Sequence, residues 1–315
     1  MTTSNASASG KVILFGEHAV VYGRPAIAVP ISQVRAHASV TDEPIHEDSP
    51  ANVWIEAPDL KWHTTLLDAP IVDPLAQAVR LTLDHFGRTD EANLRLTVRA
   101  ELPVARGMGS GAAVSTAIVR ALAAHFEEAI DSDTVSQLVF EVERLYHGTP
   151  SGIDNSVIAF ERPVCFVKGR PPETFSIHTP FSLIVADTGI PSSTRKVVRA
   201  VRKAWEAEPA RYNRLFDAIG EVVTAGRAYI ERGDLSGMGD LMDENHRLLQ
   251  GMEVSSPELD RLVSVARVAG AMGAKLCGAG RGGNMIALVP PERLESVCDE
   301  LRHAGAAGII TTVVQ

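Results

Sequence analysis

Apolar residues recur with two different periods along the chain, and the shorter period dominates its opening part. Alternation of apolar and polar residues, or a short continuous apolar run, is typical of a β-strand with one or both faces buried. The stretches of this kind are KVILF (Lys11–Phe15), AIAVPI (26–31), VRAHASV (34–40) and LRLTVRA (94–100). The opening part of the chain is therefore predicted to be rich in strands.

Helical periodicity begins at DPLAQAVRLTLDHFG, which carries a start and a stop signal. Asp73 is a favourable N-cap, Pro74 suits the first helical position and Gly87 suits the C-terminal end. Further helices are predicted over 112–126, and from 131 or 132 through VSQLVFEVERLYHG to the turn GTPSGID.

The pattern changes at residue 181, where a strand, FSLIVADT, precedes long helical stretches. The helices are predicted over 193–208, 210–232 and 256–273, followed by the strands AKLC and NMIALV, the helix PERLESVCDELRHAG and the strand GIITTVV. With 315 residues the chain is long enough for two domains that share a cleft. We place the boundary near residue 180, which gives domains of 1–180 and 181–315.

Composition and charge exclude several classes of function. The formal net charge is −9 and no basic run occurs, which argues against nucleic-acid binding. The 3 cysteines are scattered without a CxxC pair, so we expect neither disulfides nor a zinc site, and a reducing cytoplasm fits. The N-terminus lacks the pattern of a secretory leader, and no apolar run approaches the roughly 18 residues that span a bilayer, so we expect no membrane partner.

A glycine-rich stretch, RGMGSGAAVS, leads into the helix predicted from residue 112. Gly107, Gly109 and Gly111 would let the backbone approach an anion closely, and the helix N-terminus adds partial positive charge. The alternative is a tight turn before a core helix. The stretch is not a Walker A loop, because GxxxxGK[ST] does not occur in the chain.

A second stretch, GAGRGG (Gly278–Gly283), matches GxGxxG, but its context does not fit a dinucleotide fold. That fingerprint opens a helix in an early βαβ unit, whereas here a predicted strand follows. We therefore predict a strand, a turn and a strand. The glycine content exceeds what a plain hairpin requires, which favours close approach to a ligand or to another loop.

Two further stretches carry polar groups suited to chemistry. In GKVILFGEHAVVYG, Lys11 needs an anionic partner if its strand is buried, or it lies at an exposed strand end and pairs with Glu17; His18 taken alone suits a structural role. In EVERLYHGTPSGIDN, Glu143 and Asp154 offer one carboxylate for Mg²⁺ and one for an attacking hydroxyl. The alternatives are a solvated helix face for Glu143 and a turn-stabilising role for Asp154.

In this order, the stretches resemble the superfamily of galactokinase, homoserine kinase, mevalonate kinase and phosphomevalonate kinase. Its motifs stand here as SGKVILFGEHAVVYG, PVARGMGSGAAVS and KLCGAGRGGNMIAL. GEHAVVYG, HGTPSGIDN and DTGIPSSTRKVV are similar to the mevalonate kinase branch. The resemblance implies an α+β fold with a ribosomal-S5-like N-terminal domain, a ferredoxin-like C-terminal domain and the active site between them. It also implies ATP and Mg²⁺, phosphorylation of the 5-hydroxyl of (R)-mevalonate, and a homodimer.

The resemblance also assigns roles to individual residues. Asp154 matches the catalytic aspartate, Lys11 the active-site lysine and Glu143 the magnesium ligand, with Ser110 as a candidate helper. The phosphate loop is assigned to Arg106, Gly107, Met108, Gly109, Ser110, Gly111 and Ala112; the mevalonate pocket to Glu17, His18 and Thr194; and a glycine loop near the active site to Gly278, Ala279 and Gly280. Candidate local cations are Arg106, Arg195, Lys196 and Arg281.

The chain departs from the family pattern at Gly111, where GLGSSAA normally has its second serine near the metal. We therefore expect Glu143 to be the main protein ligand of the metal.

Three alternative functions remain: a sister kinase acting at another hydroxyl or on phosphomevalonate, a decarboxylase of the superfamily, and a non-catalytic ligand sensor. A phosphorylated substrate would demand more basic residues than GEHAVVYG and Arg24 supply, and the decarboxylases carry a different N-terminal signature.

Overall fold

The computed structural model describes residues 3–44, 52–89, 93–101, 107–147 and 150–315. Strands and helices both occur throughout these ranges. The strands are β1 (Thr3–Phe15), β2 (Ala26–Asp42), β3 (Val53–Ala57), β4 (Trp62–Thr65), β5 (Leu94–Ala100), β6 (Val164–Phe166), β7 (Glu173–Thr174), β8 (Phe181–Asp187), β9 (Gly273–Cys277), β10 (Asn284–Val289) and β11 (Gly308–Val314). The helices are α1 (Pro74–Phe86), α2 (Ser110–His125), α3 (Ser132–His147), α4 (Ile153–Phe160), α5 (Thr194–Ala207), α6 (Pro209–Arg232), α7 (Leu235–Gly251), α8 (Pro257–Val268) and α9 (Leu294–His303).

Packing groups these elements into two units that are discontinuous in sequence. The first comprises the described residues within 1–10, 34–104 and 109–161, and the second those within 11–33, 105–108 and 162–315. The long strands β1 and β2 contribute residues to both units. The mixture of helices and sheets confirms the α+β class.

In the first unit helix α2 packs on a sheet at β5, and α1, α3 and α4 pack around α2. The second half of β2 pairs antiparallel with β5, β5 pairs parallel with β3, and β3 pairs antiparallel with β4. Helix α2 contacts α1, α3 and α4. Its face is rich in alanine, and Ala113, Ala117 and Ala121 are fully buried, which lets the neighbouring helices pack closely around it.

In the second unit a four-stranded antiparallel sheet has the order β11-β8-β10-β9. All six residues of β10 and all five of β9 are buried. β10 is a central strand, whereas β9 lies at the edge of the sheet and is covered by α7 and α8. The first residues of β2 pair with β6, and β6 pairs with β7.

None of the helices within the described ranges is both long enough and apolar enough to cross a membrane.

The strongest local predictions from the sequence are confirmed. The Asp73 carboxylate accepts a hydrogen bond from the Ala76 amide at 2.9 Å, and Gly87 ends α1 with a φ of 65°. The predicted strands β8, β9, β10 and β11 all form. The helix predicted over 256–273 was too long, because α8 ends at Val268 and β9 already begins at Gly273 to pair with β10.

Two helices, α4 and α7, were not predicted. Helix α4 follows directly on the turn at Gly152, and α7 contains glycines that resemble helix breakers. A β-carbon at Gly239 would lie 2.4 Å from the Met272 carbonyl oxygen, and one at Gly273 would lie 2.1 Å from the Gly239 oxygen. These glycines therefore allow α7 to pack against β9, and they do not end the helix.

Candidate active site

The first glycine stretch forms a turn at the start of α2. Gly107 and Gly109 have φ values of 75° and 72°, in the left-handed region that glycine adopts at low cost. Gly109 is the N-cap, and α2 begins at Ser110, two residues earlier than predicted. The amides of the first helical turn have no acceptor within the helix, which suits an anion. Arg106 lies outside the described residues.

Glu143 lies beside this helix start. A β-carbon placed on Gly111 would be 3.3 Å from Oε1 of Glu143, although the two residues belong to different helices, α2 and α3. Glu143 is half-buried. Its carboxylate therefore faces the first turn of α2 and is not on a fully solvated helix face.

Asp154 stands in the first turn of α4, directly after Gly152, which has a φ of 91°. The Ser156 hydroxyl donates to the Gly152 carbonyl at 2.7 Å, and the Asn155 side-chain amide donates to Ser136 Oγ on α3 at 2.9 Å. These bonds fix the start of α4 on α3. The half-buried Asp154 carboxylate is thus carried by a rigid helix end whose dipole favours negative charge.

Lys11 lies inside β1 and is 4% exposed, so it is not at an exposed strand end. Its backbone amide donates to the Met108 carbonyl at 3.0 Å. This bond joins β1 to the glycine stretch at Gly107 and Met108.

The segment Gly16, Glu17 and His18, called here the GEH turn, has an unusual backbone. Gly16 has a φ of 102°, and a β-carbon there would lie 2.5 Å from Ala26 Cα, so only glycine fits. His18 has a φ of 61° and a ψ of −48°, a conformation that is strained for a residue with a side chain. His18 Nε2 donates to the Ala279 carbonyl at 2.8 Å, and burial lowers the pKa of His18 to about 4. The imidazole is therefore neutral at pH 7.

Glu17 forms a buried ion pair with Lys275, the third residue of β9. The side chains are 1% and 0% exposed, and Lys275 Nζ also donates to the Leu276 carbonyl at 2.8 Å. Burial raises the pKa of Glu17, and the ammonium of Lys275 opposes this rise. Sequence reasoning missed Lys275. The signal was present in AKLC, where a lysine interrupts an apolar strand and so requires an anionic partner.

The GAGRGG stretch is the predicted turn between two strands, since β9 and β10 pair antiparallel with Asn284 opposite Cys277. A β-carbon on Gly280 would lie 1.9 Å from the Val254 carbonyl oxygen. Gly280 therefore allows the turn to approach another loop closely. This was one of the two reasons predicted for the extra glycine, the other being approach to a ligand. The Arg281 amide donates to the same Val254 oxygen at 2.7 Å.

The segment that carries Thr194 is attached to this glycine turn. The Ser192 hydroxyl donates to the Gly280 carbonyl, and the Gly283 amide donates to the Ile190 carbonyl at 2.9 Å. Thr194 itself is exposed and is the first residue of α5. The second unit thus holds the GEH turn, the glycine turn and the start of α5 in one hydrogen-bonded group.

The remaining candidate cations lie on the surface. Arg195 and Lys196 are exposed on the first turn of α5, and exposed Arg281 donates from Nε to the Glu253 carbonyl at 3.1 Å. All three side chains are therefore exposed to solvent.

Side chains that commonly bind metals are dispersed over the described part of the chain. Within the described ranges no three histidine, cysteine or carboxylate side chains are grouped so that they could hold a metal ion. Mg²⁺ requires less, since it retains waters and is commonly held by one or two carboxylates plus substrate phosphates. Glu143, with Ser110 on the facing helical turn, fits this smaller requirement.

A cavity of about 350 Å³ lies beside α7 and α8. Its lining carries more carboxylates than cations, which disfavours a phosphate: Asp240, Asp243, Glu244 and Asp260 against Arg247 and Arg267. The glycine turns, and not this cavity, are the better candidates for binding an anionic substrate.

Comparison with known proteins supports a kinase site. The family model described as GHMP kinases N terminal domain matches residues 74–162, and that described as GHMP kinases C terminal matches residues 227–307. The curated mevalonate kinase of Pyrococcus horikoshii is 34% identical over 98% of this chain and 95% of its own length.

Solved structures agree with this result. The crystal structure of L. major mevalonate kinase in complex with R-mevalonate matches with a TM-score of 0.84 and 30% identity, covering 100% of this chain and 96% of that one. The Methanococcus jannaschii mevalonate kinase matches with a TM-score of 0.86 over 100% of this chain and 98% of its own, at 24% identity, which supports the fold alone.

Proposed function

Because the chain belongs to the mevalonate kinase family of GHMP kinases, we propose that it transfers the γ-phosphoryl group of ATP to the 5-hydroxyl of (R)-mevalonate. The observation that carries this proposal is the 30% identity, over 100% of the chain, to a mevalonate kinase whose structure contains R-mevalonate. The product would be 5-phosphomevalonate, an intermediate of isoprenoid precursor synthesis.

The ATP phosphates are assigned to the turn and helix start from Arg106 to Ala112. Support comes from the left-handed Gly107 and Gly109, and from the amides of the first turn of α2. Glu143 and Ser110 would hold Mg²⁺, which would neutralise phosphate charge when bound. The short distance of 3.3 Å between Glu143 Oε1 and a β-carbon placed on Gly111 supports this role for Glu143.

Asp154 and Lys11 are proposed to act on the reacting groups. As the new bond forms between the substrate oxygen and the γ-phosphorus, the bond from phosphorus to the departing ADP oxygen breaks, and the hydroxyl proton passes to the Asp154 carboxylate. In a loose transition state that proton is transferred late, so Asp154 chiefly orients the hydroxyl. Lys11 would balance negative charge that develops on the phosphoryl oxygens.

The mevalonate pocket is assigned to Glu17, His18 and Thr194, near Gly278, Ala279 and Gly280. This assignment is supported by the hydrogen bonds that join the GEH turn and the Thr194 segment to the same glycine turn. His18 is neutral at pH 7, so it would contribute hydrogen bonding and not positive charge.

A coupled ADP-release assay tests the proposal with mevalonate, phosphomevalonate, galactose and homoserine side by side. Turnover of mevalonate alone, with a phosphorus NMR spectrum of a 5-phosphomonoester, is the expected result. Turnover of phosphomevalonate, or a phosphate on the other hydroxyl, would instead support a sister kinase. Release of carbon dioxide from a diphosphorylated substrate would support a decarboxylase, and no ADP from any alcohol would support a ligand sensor.

Several wider assignments are part of the same proposal. The proposed domain boundary near residue 180 falls between the two matched family models, whereas the packing units divide after residue 161. The free cysteines Cys165, Cys277 and Cys298 fit a reducing cytoplasm.

We also propose a homodimer and, from the net charge of −9, no nucleic-acid partner. Light scattering with and without added RNA tests both.

A further inference from the structure

The GEH turn is held at each of its residues by elements that come more than 200 positions later in the chain. The Gly16 amide donates to Asn245 Oδ1 on α7 at 3.4 Å over a separation of 229 residues. Glu17 pairs with Lys275 on β9, and His18 donates to the Ala279 carbonyl of the glycine turn. The turn therefore depends on tertiary contacts for its shape.

That dependence matters because the turn is strained at His18. A non-glycine residue with a φ of 61° and a ψ of −48° keeps this conformation only when its surroundings impose it. The His18 hydrogen bond fixes the ring on one side. The Glu17 ion pair fixes the preceding residue, so together these contacts determine the direction of the imidazole.

Lys275 cannot act on a ligand directly. Its side chain is 0% exposed, and its ammonium is occupied by the Glu17 carboxylate and the Leu276 carbonyl. Any effect of Lys275 on a bound substrate must therefore be indirect, through the two groups that its ammonium holds, the Glu17 carboxylate and the Leu276 carbonyl.

We propose that Lys275 is a positioning residue for the alcohol substrate: by holding Glu17 in the buried ion pair, it maintains the strained GEH turn that presents His18. This role rests on the proposed function, in which that turn belongs to the mevalonate pocket. The ATP phosphates are assigned to a different segment, Arg106 to Ala112. Loss of Lys275 should therefore affect mevalonate and leave ATP binding nearly unchanged.

The charged and titratable groups around Glu17 determine how the stability of the Glu17–Lys275 pair depends on pH. Lys275 and Lys11 favour its charged form, and buried Cys277 and His246 lie near Lys275. Burial lowers the pKa of His246 and of His18 to about 4, so neither changes charge above pH 5. Burial raises the pKa of Cys277, so it remains a neutral thiol near pH 7.

Removing Lys275 leaves burial as the dominant effect on Glu17, which raises the pKa of its carboxyl further. A carboxyl whose folded pKa lies above its unfolded value costs stability as pH rises between the two values. The stability of Lys275→Met should therefore fall more steeply than that of wild type as pH rises above the ordinary pKa of a glutamate, about 4.3. Glu17→Gln/Lys275→Met, which buries no charge, should lack this fall.

The experiment compares wild type with Lys275→Met, Glu17→Gln/Lys275→Met and Lys203→Met, which removes an exposed lysine from α5 as a matched control. Melting temperature is measured across the pH range, and KM is measured separately for mevalonate and for MgATP. We expect Lys275→Met to raise the mevalonate KM by about tenfold or more while the MgATP KM changes less than about twofold. The double variant, which also lacks the pocket residue Glu17, serves only the stability comparison. Lys203→Met should match wild type.

The outcomes separate this role from its alternatives. If Lys275→Met does not accumulate as folded protein, Lys275→Gln, which removes the ion pair and leaves Glu17 in place, carries the same measurement. A folded Lys275 variant with the wild-type mevalonate KM, or equal rises in both KM values, would overturn the positioning role. Failure of Lys275→Gln to fold as well would make the ion pair a folding requirement and overturn the positioning role too. Absence of mevalonate turnover in wild type would instead overturn the proposed function.

Discussion

Gly111→Ser restores the hydroxyl that the family pattern places at this point of the phosphate loop. A β-carbon at Gly111 would lie 3.3 Å from Glu143 Oε1, which is tight but requires the neighbour to move by only a few tenths of an ångström. Among the described residues outside its own helical turn, the atom that lies within 4 Å of that β-carbon is the end of a flexible side chain, not backbone. We therefore expect the protein to accept serine here.

The magnitudes follow from the helix and from the added hydroxyl. Within a helix serine is better than glycine by about 0.5 kcal/mol, so the melting temperature should rise by about 1–2 °C or stay unchanged. A hydroxyl that gains one net hydrogen bond at Glu143 or at the metal contributes about 1 kcal/mol, which is about fivefold in affinity. The KM for MgATP should accordingly stay equal or fall by up to about fivefold.

The assay is ADP release at saturating mevalonate with MgATP varied, repeated with Mg²⁺ varied at fixed ATP. Gly111→Ala is the matched control, because it adds the same β-carbon without the hydroxyl. A lower KM in Gly111→Ser but not in Gly111→Ala would assign the effect to the hydroxyl. A loss of kcat of more than about tenfold in both variants would refute the reasoning, because it would show that the site packs around glycine and Glu143 cannot shift.

Three further predictions concern the same two units. Asp154→Asn and Lys11→Met should each lower kcat by about 10²-fold or more while calorimetry shows that MgATP still binds; near-normal turnover of either variant contradicts its assigned role. Glu143→Gln should raise the Mg²⁺ concentration needed for half-maximal activity by about tenfold or more, and an unchanged Mg²⁺ dependence would remove it as the metal ligand. Gly280→Ala should lower the melting temperature more than Gly278→Ala, since both have positive φ but only Gly280 would clash with a backbone carbonyl; equal losses would show that φ alone sets the cost.

Much of the secondary structure was predicted because its signals are local. Asp73, Pro74 and Gly87 define both ends of α1 without help from the rest of the chain. The turn at GAGRGG could be distinguished from a dinucleotide fingerprint, because the residues after it have the pattern of a strand. The motifs likewise led to the correct family, since each motif is a continuous stretch of sequence.

The failure to predict α7 has a physical cause, which is that glycine has two uses. In α7, Gly239 allows the helix to approach the backbone of Met272 and Gly273, whereas the pattern alone suggests that such residues end a helix. The surroundings of Gly111 are likewise not evident from the sequence, because only the structure places a β-carbon built on Gly111 beside Glu143.

The sequence by itself determined the family, the caps of α1 and the two glycine turns, because each depends on neighbouring residues. Only the tertiary structure decided the partner of Glu17. Within its own segment Lys11 was the available cation, yet the pair forms with Lys275, 258 residues away. A buried carboxylate must find a buried cation, and which cation reaches it is decided by how β9 packs against the GEH turn.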